Sequence, residues 1–248
     1  MNLLRGKTAL ITGAHRGIGK AVMEKFASYG CNLILLNRCE DHAFSDECKK
    51  LAEQQSIEIN IFYADFESET AVRDVTKAII SSKKQIDILV NNIGISKPIN
   101  MFTMTKINVF RQSFEVNFFS AITLTQAVSR QMMRRKSGAI VFVSSTAVYD
   151  AWANIEYTAS KSAIIGAAKR MALELGPFGI RVNSVAPGLT DTQMGNTMKK
   201  EDENLALSRS IMKRKGKPSE IADVIAFLSS DMSSFITAQT IRVDGGLL

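Results

Sequence analysis

Tyr157 and Lys161 are the residues of this sequence whose types and spacing are best suited to joint chemistry. They stand at i and i+4 at the start of a predicted helix, so their side chains share one helical face. A cation near a phenol stabilises the phenolate and lowers the phenol pKa from about 10, which makes the phenol a competent general acid or base. Ser144 and Ser145, at the end of an apolar run, would supply a hydroxyl for a substrate oxygen. The alternative is that Tyr157 and Lys161 form an ordinary half-exposed helix pair, since such pairs are common.

The elements that must position these side chains are strands and helices in alternation. Apolar runs predict seven strands, at residues 8–11, 32–37, 57–63, 86–90, 138–143, 180–185 and 239–243. Helices are predicted from the glycines at 13–19 to residue 29 and at 41–55, 69–81, 106–135, 157–175 and 218–229. A polar, methionine-bearing segment is predicted at about 188–217. Apolar strands alternating with helices favour a parallel sheet covered on both faces. We therefore predict an α/β protein: one domain over 1–248, with a Rossmann-like, doubly wound parallel sheet of about seven strands.

The composition of the 248 residues is that of a soluble globular protein, with 46% apolar and 22% charged residues. The net charge of +7 comes from scattered Lys and Arg, which favours a basic solvated surface. Affinity for an anionic cofactor or acyl carrier is the minority interpretation, and nucleic-acid binding ranks last. Three cysteines without C-x-x-C spacing and two isolated histidines predict neither a disulfide framework nor a metal site. Without a signal-peptide core at the start or an apolar run of ~20 residues, we expect a cytoplasmic protein with no membrane span.

A glycine turn, T-G-A-H-R-G-I-G at residues 12–19, joins the first strand to the first helix. Glycine permits a tight turn and close backbone approach, and the helix N-terminus attracts a pyrophosphate, so this turn predicts dinucleotide binding within about 7–145. At the end of the second strand an acid would bind the adenosine ribose diol, whereas basic residues would accept a 2′-phosphate. Asn37 and Arg38 stand there, with Arg16 in the turn and no acid until Glu40, which favours NADP(H) over NAD(H). The alternative is that both arginines are merely exposed surface.

Several ordered motifs of the chain resemble those of the short-chain dehydrogenase/reductase family. The resemblance runs from Lys7 to Gly246 and rests on the spacing G-x-x-x-G-x-G in the glycine turn, N-N-I-G at 91–94, a helix asparagine at 117, Y-x-x-x-K at 157–161, P-G-x-x-x-T at 187–192 and V-D-G-G at 243–246. Ile93 and Ala238 depart from the family pattern, which has Ala and Gly there. Several motifs in order are far more specific than any one of them.

The resemblance implies a role for each matching residue. The implied catalytic set has Tyr157 donating a proton to a carbonyl, Lys161 holding the nicotinamide ribose, Asn117 fixing a water, and one serine. Strand register favours Ser145 and the spacing back from Tyr157 favours Ser144; we choose Ser145 because register is harder to change than loop length. The implied NADP(H) contacts come from the glycine turn, the ends of later strands and the segment after the sixth: Gly13, His15, Arg16, Gly17, Ile18, Gly19, Asn37, Arg38, Asp65, Phe66, Asn92, Ile93, Gly94, Tyr157, Lys161, Pro187, Gly188, Thr190 and Thr192.

Within the family, the pattern is most similar to 3-oxoacyl-[acyl-carrier-protein] reductases, so a 3-oxoacyl thioester on an acyl carrier protein is one expected substrate. That subgroup has an arginine just before the sixth strand to grip the carrier, and this chain has Phe178 there. The basic run at 134–136 would be the other contact. Tyr149, Trp152 and Met194 are expected to line the substrate pocket, although packing within their loops is an equal alternative.

The sequence is compatible with three functions. The first is an NADP(H)-dependent oxidoreductase that reduces a ketone to a secondary alcohol, with Tyr157 as general acid. The second is an NAD(P)-dependent dehydrogenase of a sugar or secondary alcohol, and the third is a non-catalytic dinucleotide-binding regulatory protein. The resemblance also implies a homotetramer, which the small residues after Tyr157 (Ala163, Gly166, Ala167) and the apolar end Leu247-Leu248 would suit.

Overall fold

Seven parallel strands form one sheet in a computed structural model that describes residues 3–97, 100–150, 152–195 and 200–247. The strand order is β3-β2-β1-β4-β5-β6-β7. The strands are β1 Thr8–Thr12, β2 Asn32–Asn37, β3 Ile59–Tyr63, β4 Ile88–Asn91, β5 Gly138–Val143, β6 Ile180–Pro187 and β7 Thr240–Val243. The order reverses between β1 and β4, so the crevice where a doubly wound sheet binds ligands opens at the carboxyl ends of these two strands.

Nine α-helices connect and flank the strands in the described part of the chain. They are α1 Gly17–Ser28, α2 His42–Gln55, α3 Glu69–Ser81, α4 Ile107–Phe114, α5 Ser120–Arg135, α6 Ala147–Asp150, α7 Ile155–Leu175, α8 Lys200–Ser208 and α9 Pro218–Ser229. One apolar core packs α1, α2 and α9 on one face of the sheet, and another packs α3, α5 and α7 on the other. Successive residues of β1 divide between the two: Ala9 and Ile11 face the first core and Leu10 the second. The predicted fold class is confirmed.

The helix predicted at 106–135 differs from the structure in its middle. A five-residue π-helical turn, Glu115–Phe119, separates α4 from α5. An inserted residue in a helix rotates the side chains around it, and π-turns are frequent at functional sites. Here the turn places the buried Asn117 on the side of α7. Hydrophobic periodicity across 106–135 carries no mark of this insertion.

The polar segment predicted at about 188–217 is not irregular throughout. It contains α8, whose first turn holds three acids that favour a helix N-terminus. The short helix α6 was also not predicted, because four residues are too few for a periodic pattern. Among the described residues, no helix is long and apolar enough to cross a membrane.

Candidate active site

Tyr157 and Lys161 lie in the first turns of α7, beside the end of β5. The Lys161 ammonium is 3% exposed and donates a hydrogen bond of 2.8 Å to the carbonyl of Val143, the last residue of β5. Its Nζ atom is 5.8 Å from the centre of the Tyr157 ring. A Cβ added at Gly94 would lie 3.0 Å from this Nζ, so the loop after β4 packs closely against the lysine at this glycine. The two side chains thus share one face of α7, as their spacing predicts.

Burial dominates the ionisation of both groups. It lowers the pKa of Lys161 from 10.5 to about 8, because a buried ammonium loses hydration. Burial also raises the pKa of Tyr157, and a hydrogen bond with Ser145 acts in the opposite direction. The expectation that Lys161 lowers the tyrosine pKa is therefore wrong for this structure. The lysine's direct hydrogen bond goes to the β5 carbonyl, so the phenol is not the group it contacts most closely.

The two serines have different surroundings. Ser144 is 2% exposed, and its hydroxyl donates to the backbone carbonyl of Lys161 at 2.9 Å. Ser145 is half-buried and contributes the hydrogen bond that lowers the pKa of Tyr157. Its oxygen also accepts from the amide of Ala147 at 3.1 Å, which fixes the side chain at the start of α6. The structure therefore brings Ser145, rather than Ser144, together with the tyrosine.

Asn117 holds the loop after β4 against α7. Its Oδ1 accepts from the amide of Ile95 at 2.7 Å, and its Nδ2 donates to the carbonyl of the same residue at 3.0 Å. Nδ2 also donates to the hydroxyl of Ser160 at 3.0 Å. The side chain is 1% exposed, so these contacts fix the relative positions of the loop and the helix that carries Tyr157.

The glycine turn is locked to the neighbouring strands by polar side chains. Asn37 accepts from the amide of Ala14 at 2.8 Å, and Asn92 donates to the carbonyls of Thr12 and Gly13 at 2.9 and 3.1 Å. The Thr12 hydroxyl accepts from the amides of Asn92 and Ile93 at 3.0 and 3.1 Å. The predicted cofactor residues Asn37 and Asn92 therefore use their side chains to shape the turn. Thr12 makes contacts of the same kind and was missed as a site residue, although it is the first residue of the turn.

Two glycines of the turn are required by geometry. Gly13 has φ +71°, a left-handed conformation that strains other residues. A Cβ at Gly19 would lie 2.0 Å from the carbonyl oxygen of Gly13, which leaves no room for a side chain in the first turn of α1. The N-terminus of α1 thus lies directly behind the turn, with Ile18 packed against the core.

The basic residues predicted to select NADP(H) are all exposed and all have partners. Arg38 lies 3.6 Å from a carboxylate oxygen of Asp65 and 3.5 Å from one of Glu67. Arg16 contacts the side chain of Gln193. The expectation that no acid competes before Glu40 is wrong, because both acids arrive from the end of β3, distant in sequence but next to β2 in the sheet.

His15 and Phe66, two further predicted cofactor residues, flank this region. The imidazole of His15 lies 3.0 Å from Asp41 and packs edge-on against Phe44. Asp41 also caps α2, which lowers the pKa of this carboxyl group, since the amide of Phe44 donates to it. Phe66 is buried in the core that packs α3, α5 and α7, so its side chain is part of the core.

The segment after β6 folds over the glycine turn. The Thr190 hydroxyl donates to the carbonyl of Gly188 at 2.9 Å, and Thr192 accepts from the amide of Gly195 at 3.1 Å. A Cβ at Gly17 would lie 3.3 Å from the Thr192 methyl, so the threonine sits on the turn. A Cβ at Gly188, which follows Pro187, would lie 2.7 Å from that of Asp244. Thr192 thus lies against the glycine turn, and Gly188 lies against Asp244, the residue that follows β7.

Two arginines pack on the aromatic side chains expected at the substrate pocket. Arg209 lies 5.0 Å from the centre of the Trp152 ring, and Arg242 lies 5.2 Å from that of Tyr149. Met194 is also exposed. Because α6 follows β5 directly and Arg242 lies near the carboxyl end of β7, these pairs stand at the ligand-binding edge of the sheet.

The residues expected to grip a carrier protein are less suited to it than the sequence suggests. Arg135 donates to the carbonyl of Ile86 at 2.5 Å and pairs with Asp87 at 3.4 Å, so it holds α5 to the start of β4. Phe178 packs against the core. Of the basic run at 134–136, Arg134 and Lys136 are exposed.

Comparison with known proteins agrees with this geometry. A sequence family described as Enoyl-(Acyl carrier protein) reductase matches residues 13–248. The 3-oxoacyl-[acyl-carrier-protein] reductase FabG of Thermotoga maritima is 37% identical over 246 residues, which is 99% of each chain.

Solved structures superpose on nearly the whole chain. The 3-oxoacyl-[acyl-carrier protein] reductase of Brucella melitensis is similar with a TM-score of 0.90 and 32% identity, over 99% of this chain and 92% of that one. A 7α-hydroxysteroid dehydrogenase complexed with NADH and a 7-oxo bile acid gives a TM-score of 0.89 and 30% identity, over 100% and 96% of the two chains. Structural neighbours hold NAD or NADP.

The fold and the site define a dinucleotide-binding oxidoreductase with a tyrosine and a lysine on one helix. The chain belongs to the short-chain dehydrogenase/reductase family.

Proposed function

We propose that this protein is an NADP(H)-dependent reductase that converts a ketone, a 3-oxoacyl thioester or similar carbonyl, to a secondary alcohol. The observation that carries the proposal is the convergence of Tyr157, Ser145, Lys161 and Asn117 at the carboxyl end of β5, next to a glycine turn. A merely structural tyrosine and lysine would not need a serine hydroxyl beside them and a glycine approach at Gly94.

The residues present fit a dinucleotide. Glycine is required at Gly13, where φ is +71°, and at Gly19, where a Cβ would lie 2.0 Å from a carbonyl oxygen, so the turn has the tight path that a pyrophosphate-binding loop needs. The N-terminus of α1 favours a pyrophosphate, and Thr192 would hold the nicotinamide carboxamide. When bound, the nicotinamide supplies the hydride for the carbonyl carbon.

The protein's own groups handle the proton. Ser145 and Tyr157 would both hydrogen-bond the substrate oxygen, and the phenol, kept neutral by burial, would donate its proton as that oxygen becomes an alcohol. Lys161 would bind the nicotinamide ribose from the same face of α7 as the phenol. Asn117 would hold the loop and α7 in register and fix the water that returns a proton.

NADP(H) is proposed on the basis of Arg38 and Arg16 at the adenosine end. Exposed ion pairs contribute only about 0–1 kcal/mol, whereas hydrogen bonds to charged groups contribute about 1.5–3 kcal/mol. A 2′-phosphate would therefore displace Asp65 and Glu67 from Arg38. We assign the dinucleotide to about 7–145 and the substrate-binding segment to about 188–217.

The second candidate is a dehydrogenase of a sugar or secondary alcohol. It is favoured by Phe178 in place of the carrier-gripping arginine and by the similarity to a hydroxysteroid dehydrogenase. The aromatic residues Tyr149 and Trp152 suit a ring as well as an acyl chain. A non-catalytic regulatory protein is disfavoured, since the tyrosine, lysine, serine and asparagine are all retained.

We also propose a homotetramer located in the cytoplasm. Gly166 lies exposed on α7, and a Cβ there would meet nothing within 4 Å, so another helix has room to approach. Leu173 on the same helix is 67% exposed. Leu248, part of the apolar end used in the prediction, lies outside the described residues. Light scattering at micromolar concentration should give the tetramer mass; a monomer would contradict the proposal.

A substrate panel tests the function. 3-Oxoacyl thioesters on coenzyme A and on acyl carrier protein, ketosugars and secondary alcohols are assayed at 340 nm with each cofactor. We expect the fastest turnover in NADPH-dependent reduction of the 3-oxoacyl thioesters. Turnover of a sugar or secondary alcohol with no thioester reduction would establish the second candidate instead.

A further inference from the structure

Arg38 lies between two carboxylates in a loose arrangement. Both nearest distances, 3.6 Å to Asp65 and 3.5 Å to Glu67, exceed those of good charge-assisted hydrogen bonds. The arginine side chain is 63% exposed. The guanidinium is therefore held by charge attraction and not by short, directed hydrogen bonds to these carboxylates, so an incoming anion can replace them.

The two acids are not equivalent. Oδ1 of Asp65 also accepts a hydrogen bond of 3.2 Å from the amide of Glu67, so it helps to shape the turn before α3. The carboxylate of Glu67 makes its one ion pair within the described residues with Arg38. Its side chain is 34% exposed and can swing into solvent. Glu67 is therefore the partner that can be removed without disturbing the turn.

We propose that Glu67 is a specificity-determining residue that competes with the 2′-phosphate of NADP(H) for Arg38 and so limits the preference for the phosphorylated cofactor. The inference rests on the proposed use of Arg38 for that phosphate. Before NADP(H) binds, Arg38 must leave Glu67, and afterwards the carboxylate stays close to a dianionic phosphate. NAD(H) has no phosphate at this position, so the exchange does not affect it.

The test is the affinity of the full chain for NADPH and NADH, measured by fluorescence titration for wild type and Glu67→Gln. The glutamine keeps the side-chain shape and removes the charge. A surface pair of this kind corresponds to a roughly two- to fivefold change, so NADPH should bind roughly two- to fivefold more tightly and NADH equally well. The gain should shrink at high salt.

Glu69→Gln is the matched control. Glu69 is a nearby acid at the start of α3; its side chain is more exposed than that of Glu67, 72% against 34%, and it pairs with Arg73 at 3.3 Å. Glu69→Gln changes the net charge by the same amount as Glu67→Gln, and it should leave the affinities for NADPH and NADH unchanged. Thermal unfolding of both variants checks that the fold is kept.

A double-mutant cycle shows whether the effect acts through Arg38. In an Arg38→Ala background, Glu67→Gln should no longer improve NADPH binding. An unchanged NADPH affinity in Glu67→Gln, an equal gain for NADH, or the same gain without Arg38 would each overturn the inference. If Arg38→Ala weakens NADPH while Glu67→Gln has no effect, the inference alone fails; if Arg38→Ala has no effect, the cofactor proposal fails with it.

Discussion

At the end of β5 the candidate catalytic side chains are enclosed by the fold, whereas at the end of β2, where we propose that the adenosine binds, the charged side chains lie on the surface. Lys161 and Asn117 are 3% and 1% exposed, and every hydrogen bond described for their side chains ends on the protein's own backbone or on Ser160. The side chain of Arg38 is 63% exposed and is held by two long ion pairs. Packing fixes the first region, and a balance of surface charges sets the second. We therefore expect substitutions in the first region to change chemistry and those in the second to change cofactor affinity.

The largest effect should come from Tyr157→Phe. The ring remains and the hydroxyl is lost, so turnover should fall by ~10²–10⁴-fold, the usual contribution of general acid catalysis. Cofactor affinity should stay close to that of wild type. Steady-state kinetics and a cofactor titration measure the two, and a variant that keeps most of its turnover would contradict the role of the phenol.

The lowered pKa of Lys161 should make the free energy of unfolding depend on pH. Its pKa is about 8 in the folded protein and 10.5 in the unfolded chain, so between these values the unfolded chain binds more protons. The free energy of unfolding contributed by this group therefore rises with pH across that window, by up to about 3 kcal/mol. The measurement is denaturant unfolding of wild type and Lys161→Met from pH 7.5 to 10.5.

The buried cysteines Cys31 and Cys48 change the free energy of unfolding in the opposite direction above about pH 9. Burial raises the pKa of Cys31 to about 12 and that of Cys48 to about 11, so both stabilise the fold less as pH rises above 9. Since both proteins contain them, the difference between wild type and variant isolates the lysine. If the difference in the free energy of unfolding between wild type and Lys161→Met stays constant with pH, burial does not lower the pKa of Lys161.

The two serines should respond differently to removal of the hydroxyl. Ser145→Ala should lower turnover by ~10²-fold, as expected for a lost donor at the developing oxyanion. Ser144→Ala removes a buried hydrogen bond to α7 and should lower stability by about 1–3 kcal/mol, with a smaller effect on turnover. Kinetics and thermal unfolding of both variants test this, and the reverse ranking of turnover would assign the chemistry to Ser144.

The smallest of these effects concerns Arg38. Arg38→Ala should weaken NADPH roughly tenfold to a hundredfold, since hydrogen bonds to a charged phosphate contribute about 1.5–3 kcal/mol. NADH affinity should hardly change. Fluorescence titration measures both, and equal weakening of the two cofactors would mean that Arg38 supports the site without selecting the phosphate.

Features carried by local pattern could be predicted from the sequence, and those created by side chains meeting across elements could not. Apolar runs and glycine spacing suffice for the seven strands and the turn, and α3 and α9 have the predicted bounds. The π-turn at Asn117 leaves hydrophobic periodicity intact, so nothing in the sequence indicates it. Glu67 was missed because it is distant from Arg38 in sequence and becomes its neighbour only through the pairing of β2 with β3.

The tyrosine pKa shows the same limit. The spacing correctly places Lys161 on the same helical face as Tyr157. It does not show that the ammonium donates to Val143, or that burial raises the pKa of the phenol more than the hydrogen bond with Ser145 lowers it. Similarly, the choice between the two serines depends on which hydroxyl donates to the carbonyl of Lys161. In the folded chain that hydroxyl is the one of Ser144, and the sequence does not show this contact.

The central claim is that the region at the end of β5 performs the reaction and that the region around Arg38 sets cofactor affinity. It is tested most directly by single-turnover reduction of one ketone substrate with saturating NADPH and with saturating NADH. If the buried end alone performs the chemistry, the two rates at saturation should agree within about threefold, while the two dissociation constants differ by about tenfold or more. A large difference in the saturated rates, with similar dissociation constants, would show that the adenosine end acts on the reaction itself and would contradict the account.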